Sequence, residues 1–167
     1  QVDHLCKAIE GNAELESLEI DFHDQAVLKA ISTKPLLHTL SFFSLECDVS
    51  ALVSCISKLP ALKSLSLQEV VLSEGSASQL IAALPPQLAT IYLSFKTDCV
   101  TFPCADIIVL LRLPNLRKLW FANDIEHTDD ELREMLTILE RHSSLRDVGL
   151  PINLNSLMND DDWSNII

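Results

Sequence analysis

At 167 residues, with 48% hydrophobic and 22% charged residues, the chain is long enough for one ordered, core-forming domain and unlike a disordered one. Its net charge of −12 sits at the two ends: residues 1–25 hold seven acids and one Lys, and residues 121–167 hold eleven acids and three Arg. Both ends would repel a nucleic-acid backbone or an anionic membrane surface, so neither is expected as a partner.

In chain order, helical spacing covers residues 2–10, 24–33, 48–59, 76–84, 104–113 and 128–141, and a short apolar phrase precedes or separates these stretches. The phrase is an apolar residue, two variable residues, an apolar residue, one variable residue and a third apolar residue. It occurs six times: Leu15–Leu18–Ile20, Leu37–Leu40–Phe42, Leu62–Leu65–Leu67, Leu88–Ile91–Leu93, Leu116–Leu119–Phe121 and Leu145–Val148–Leu150. The middle residues are 22, 25, 26, 28 and 29 positions apart, a period that predicts a solenoid of stacked units.

Residues 60–85 show one unit. Leu62, Leu65 and Leu67 point inward while Ser64, Ser66 and Gln68 alternate outward with the period of a strand. Val70 and Leu72 carry the apolar spine through a turn broken at Ser73–Ser76, and Leu80, Ile81 and Leu84 form one helical face. Pro85 and Pro86 end the helix; Pro35, Pro60 and Pro114 punctuate other units in the same way. Thr128 with Glu131 three residues on is a capping box for the last helix, whose stripe of Leu132, Met135, Leu136 and Leu139 reads as core. Strands stack at about 4.8 Å and helices at roughly 10 Å, so such a stack curves with its sheet inside.

The phrase, the preceding Pro and the helix that follows resemble a leucine-rich repeat protein over residues 13–154, and the α-helical return resembles the ribonuclease-inhibitor-like class. The resemblance implies an α/β fold: a curved horseshoe of about six repeats with a parallel sheet on the concave face and helices on the convex face. Similar repeats form the ligand-sensing and autoinhibitory portions of NLR-type innate immune receptors, and also occur in F-box substrate receptors and bacterial effectors. The chain departs from the family three residues after the last strand hydrophobe, where Asn or Cys commonly bonds neighbouring turns. His23, Leu45, Val70, Lys96, Asp124 and Asn153 stand there, and only Asn153 fits.

Residues 1–154 are expected to form the repeat domain and 155–167 a C-terminal cap or tail carrying Asp160–Asp162 and Trp163. The chain starts inside a helical pattern with neither Met nor a signal peptide, which points to a fragment of a longer chain with other domains. Apolar runs such as Ile107–Leu111 are far short of the ~18 residues of a membrane span. Five cysteines without a C-x-x-C, and no N-x-S/T acceptor, point to reduced thiols and a cytoplasmic location; Cys99 and Cys104 are close enough in sequence to pair, but Pro103 argues against it.

Little in the sequence suggests chemistry. Gly11, Gly75 and Gly149 are too scattered for a phosphate loop, and the five histidines stand alone. The acidic run Asp124–Asp130 lacks the glycine and spacing of an EF-hand and reads as a turn and helix start. No catalytic residue, metal or cofactor is expected.

Function is instead sought on the outward strand positions. Parallel strands in register place Glu19, Ser41, Ser66, Tyr92, Trp120 and Gly149 in a central row. Ser17, Thr39, Ser64, Thr90, Lys118 and Asp147 form the row before it, and Asp21, Phe43, Gln68, Ser94, Ala122 and Pro151 the row after. Glu19, Asp21, Phe43, Gln68, Tyr92, Lys118 and Trp120 are the candidate contacts for a protein ligand on the concave face. Tyr92 and Trp120 are expected within ring contact, as partner anchors or covered by each other or by the tail. Glu19 and Asp21 suggest a basic partner segment near the first strand.

Overall fold

In a computed structural model, the structure describes residues 2–21, 24–73, 75–96 and 102–152. Elements follow one another as α1 (Val2–Gly11), β1 (Ser17–Ile20), α2 (Gln25–Ile31), β2 (Thr39–Phe43), α3 (Val49–Ile56), β3 (Ser64–Val70), α4 (Ser76–Ala82) and β4 (Thr90–Phe95). Then come β5 (Phe102–Pro103), α5 (Cys104–Leu111), β6 (Lys118–Phe121), β7 (Ile125–Glu126), α6 (Asp129–Arg141) and β8 (Asp147–Gly149). Six strands form one parallel sheet in the order β1-β2-β3-β4-β6-β8, and β5 pairs with β7 in a second, two-stranded sheet. The fold is thus α/β, repeat-like, with one helix between successive strands of the main sheet. No described helix is long and apolar enough to cross a membrane.

The middle residue of the apolar phrase sets the register. Leu18 lies beside Leu40, and the pairing continues through Leu65, Ile91, Leu119 and Val148. Leu40, Leu65, Ile91 and Leu119 are wholly buried, each contributing about 1.5–3 kcal/mol of apolar burial. At the two edge strands the same position is less covered: Leu18 is half-buried and Val148 is exposed. The strands hold this register while the step between units grows; the helices between them have 7, 8, 7, 8 and 13 residues, so the growth falls in the connecting segments until α6 takes up the last step.

Helices α2 to α5 stop a little short of the limits expected from spacing, whereas α1 runs one residue further and α6 ends where expected. Ser32 and Thr33 donate their hydroxyls to the carbonyls of Lys29 and Ala30, both at 2.7 Å, and so close the end of α2 from outside the helix. At helix starts, Asp24 and Asp48 accept from the amides of Ala26 and Ser50, both at 2.8 Å, and the capping box of Thr128 and Glu131 is formed. Met135 is fully buried, 3.9 Å from the Cys104 thiol, as its core assignment requires. At the N-terminal end, Lys34 is 4% exposed and donates from Nζ to the carbonyls of Glu10 (2.8 Å) and Asn12 (3.0 Å), fastening the end of α1 to the end of α2.

Two additions to the regular unit were not legible from the phrase. Leu67 faces Leu93 and Val70 faces Phe95, so Gln68 and Glu69 together oppose Ser94 in a bulge, with Glu69 at φ 52°. Ser44 takes the corresponding position after β2 at φ 50°, and its amide donates to the carbonyl of Gln68 at 2.8 Å. Past β4, Phe95, Phe102 and Phe121 form an aromatic cluster with ring centroids 5.1 to 6.3 Å apart, which packs the small β5–β7 sheet onto the main one.

Candidate interaction face

The alternation of the strands turns one residue in two away from the core. Cross-strand pairing places Glu19, Ser41, Ser66, Tyr92, Trp120 and Gly149 in one continuous row, and Ser17, Thr39, Ser64, Thr90, Lys118 and Asp147 in the row beside it. The third expected row is interrupted. Phe43 pairs with Gln68, but the Gln68–Glu69 bulge breaks the register before Ser94, because the extra residue must be accommodated within β3.

Among the seven candidate contacts, Glu19, Asp21, Lys118 and Trp120 are exposed, whereas Phe43, Gln68 and Tyr92 are half-buried. Gln68 folds back along its strand, donating from Nε2 to the Ser66 hydroxyl at 3.1 Å. Glu19 and Asp21 share the β1 end of the sheet, while Trp120 and Lys118 share β6. The sheet therefore brings the candidates onto one face in two groups rather than one cluster.

Trp120 and Tyr92 are neighbours in register but do not make the expected ring contact: the ring pairs among the described residues are those of Phe95, Phe102 and Phe121. The Trp120 indole lies instead across Gly149 of the next strand. A Cβ added at Gly149 would meet Cδ2 and Cζ3 of the indole at 2.7 Å, so the glycine makes room for the ring. In this position Trp120 remains 48% exposed. A groove of about 360 Å³ opens beside it, lined by Tyr92, Trp120, Ala122, Leu150 and Pro151 among others. Its walls are mainly carbon, and the Trp120 ring is the one exposed aromatic among the described residues, a surface suited to an apolar side chain.

Gly149, Leu150 and Pro151 were not singled out as contacts by sequence. The signal was available, since Gly149 directly follows Trp120 in the row. Asn123 was also missed. Its side chain brackets the backbone of Phe95, accepting from the amide at 2.8 Å and donating to the carbonyl at 2.7 Å. It thus joins neighbouring turns from one position earlier than the family pattern places its asparagine; at that later position Leu45 and Val70 are instead buried in the core. His23, Asn153, Cys99 and the segment with Asp160–Asp162 and Trp163 lie outside the described residues.

Burial raises the thiols of the described cysteines above their ordinary range. Burial pushes Cys47 up to about 11, with Asp48 adding to the shift, and Cys55 up to about 12. Cys104 is raised as well, first by burial and then by Glu131 and Glu134. Among the described residues no group of three or more His, Cys, Asp or Glu side chains is placed to hold a metal ion.

No family model matches the sequence, and no curated protein matches it. Among solved structures, the chain is similar to a tropomodulin C-terminal domain of Caenorhabditis elegans. The TM-score is 0.63 at 11% identity, and the match covers 85% of this chain and 93% of that one. The likeness is one of fold.

Proposed function

We propose that the chain is a non-enzymatic protein-interaction module, a short curved stack of leucine-rich units that takes a protein ligand on the helix-free face of its sheet. The observation that carries this reading is the half-exposed Trp120 indole, braced over Gly149 beside an apolar groove. A large ring held in place by the backbone beneath it loses little freedom on binding, and such rings dominate interface energetics. The raised thiols of Cys47 and Cys55 and the scattered glycines support a role without covalent or phosphate chemistry. The fold shared with the tropomodulin domain supports a stacked architecture. The finer assignment, a cytoplasmic ligand-sensing or autoinhibitory portion of an NLR-type receptor, rests on the repeat resemblance of residues 13–154.

The test is affinity capture with the wild-type chain and with Trp120→Ala, followed by binding measurements on each captured protein. Loss of the ring should weaken a true partner by about 2 kcal/mol or more while leaving the melting temperature unchanged. Equal recovery by both proteins would remove the helix-free face from consideration.

A further inference from the structure

We propose that the edge of the sheet where β3, β6 and β8 begin binds an acidic, extended segment of a partner protein. This deepens the interaction reading above and rests on it. Two residues before each strand's middle core position, the backbone forms one continuous row. The amide of His38 donates to the carbonyl of Glu16, Lys63 to His38, Ala89 to Lys63, Arg117 to Ala89 and Arg146 to Arg117, at 2.7 to 2.9 Å. The row thus sets Lys63, Arg117 and Arg146 along one edge, and Lys118 follows Arg117 in the chain. All four are exposed.

These cations are placed against their own interest. Adjacent strands lie about 4.8 Å apart, so Arg117 and Arg146 stand side by side as like charges, which is destabilising without a counter-charge. Among the described residues, the ion pairs within 4.0 Å are Arg112–Glu134 and Arg133–Asp130, and none involves this edge. Asp147 lies in register with Lys118 yet makes no ion pair with it. In a chain of net charge −12, these four cations thus share one rim without an ion pair among the described residues, although Asp147 stands beside Lys118 and Glu16 begins the row.

That contrast also selects the partner. Charges interact over a Debye length of about 8 Å in physiological salt, so a short acidic segment senses the local rim. A long polyanion such as nucleic acid must also meet the acidic remainder of the molecule. The rim adjoins the Trp120 groove, because Lys118 and Trp120 are alternate residues of the same strand and point to the same side. A carboxylate held by Arg117 or Lys118 would bring an apolar neighbour in the same segment over the indole. The bound sequence should therefore mix acids with a single apolar residue.

The competing explanation is internal. Helices that run back between parallel strands end at this same edge, and cations there complement the negative ends of helix dipoles. Stability separates the two roles.

The experiment uses the full chain and a fluorescein-labelled Asp-Glu-Asp-Leu-Glu-Asp peptide, with Asn-Gln-Asn-Leu-Gln-Asn as its neutral twin and a six-nucleotide single-stranded DNA as a second anion. Binding of the acidic peptide alone is expected. It should weaken about tenfold in Arg117→Glu/Arg146→Glu at unchanged melting temperature, and also fall between about 50 and about 300 mM salt. Unchanged affinity in the double variant would overturn the proposal, as would a lowered melting temperature with affinity retained, which assigns the rim to the helix ends. Equal binding of the DNA would show an unselective anion patch and also overturn it. Binding that emerges only in Asp160→Asn/Asp161→Asn/Asp162→Asn would overturn it in favour of the chain's own acidic run. If Trp120→Ala loses a captured partner that Arg117→Glu/Arg146→Glu keeps, the interaction reading stands and the acidic partner falls.

Discussion

Replacing Asn123 with Ala should cost more than its half-buried position suggests. The side chain makes two hydrogen bonds to one residue, receiving the Phe95 amide at 2.8 Å and donating to the Phe95 carbonyl at 2.7 Å. Phe95 is only 4% exposed, so both backbone groups would be left short of partners in a place water reaches poorly. Each stranded group costs about 1–3 kcal/mol, and partial hydration around the shortened side chain brings the total to roughly 2–4 kcal/mol. For a chain of this size each kcal/mol lowers the melting temperature by about 2–4 °C, so a fall of roughly 5–15 °C is expected by calorimetry. Asn123→Asp is the informative control. It retains the acceptor for the amide but sets a carboxylate against the Phe95 carbonyl, so it should be no better than Ala. Hydrogen exchange at the Phe95 amide should accelerate most in the Ala variant, which alone loses the acceptor. A melting temperature within about 1 °C of wild type, together with unchanged exchange at Phe95, would refute the assignment of Asn123 as a tie between turns.

Three further outcomes follow from neighbouring features. Gly149→Ala should displace the indole rather than the strand, because the added methyl takes the seat that holds the ring and the ring's other face is open; stability should change by no more than about 0.5 kcal/mol while Trp120 emission shifts in a Trp163→Phe background. A large loss of stability with unchanged emission would mean that the ring is fixed and the strand yields. Glu131 is held below the usual carboxylate range by its hydrogen bonds to the Thr128 backbone and hydroxyl. Its folded-state value is depressed, so its contribution is present above the ordinary Glu range and is lost as pH falls through the lowered one. Thr128→Ala should flatten that acid limb in a pH series of melting temperatures, and an identical limb would contradict it. Cys55, with its thiol raised to about 12 by burial, should react with a thiol reagent at neutral pH only at the rate of unfolding; fast labelling of the native chain would show an open path to it.

The stack was readable because apolar residues that must be buried leave a repeating mark. Leu18 through Val148 name the register directly, and the strand rows follow from the period of two. Departures from regularity were not readable for a related reason. Ser44 and Glu69 adopt left-handed backbone without being glycine, so nothing in their chemistry advertises the bulge. Asn123 does the work of an asparagine ladder one position early, a shift that counting from the last hydrophobe overlooks. At the candidate face, register correctly made Tyr92 and Trp120 neighbours but could not choose the indole's direction. That choice depends on the absence of a side chain at Gly149, where the ring lies. The β5–β7 pair was hidden because two residues are too few to show a period.

The buried ammonium of Lys34 has a consequence for how the N-terminal end comes apart. Helices usually fray from their ends one residue at a time, each step exposing a little more backbone to water. Here the last carbonyls of α1 are held by a side chain rooted in the next unit, whose charge is compensated only while those carbonyls stay in place. Partial release would leave a cation inside the fold without its acceptors, a state less favourable than either the closed or the fully detached one. The first helix should therefore leave as a single piece or not at all, giving this end of the stack an all-or-none edge.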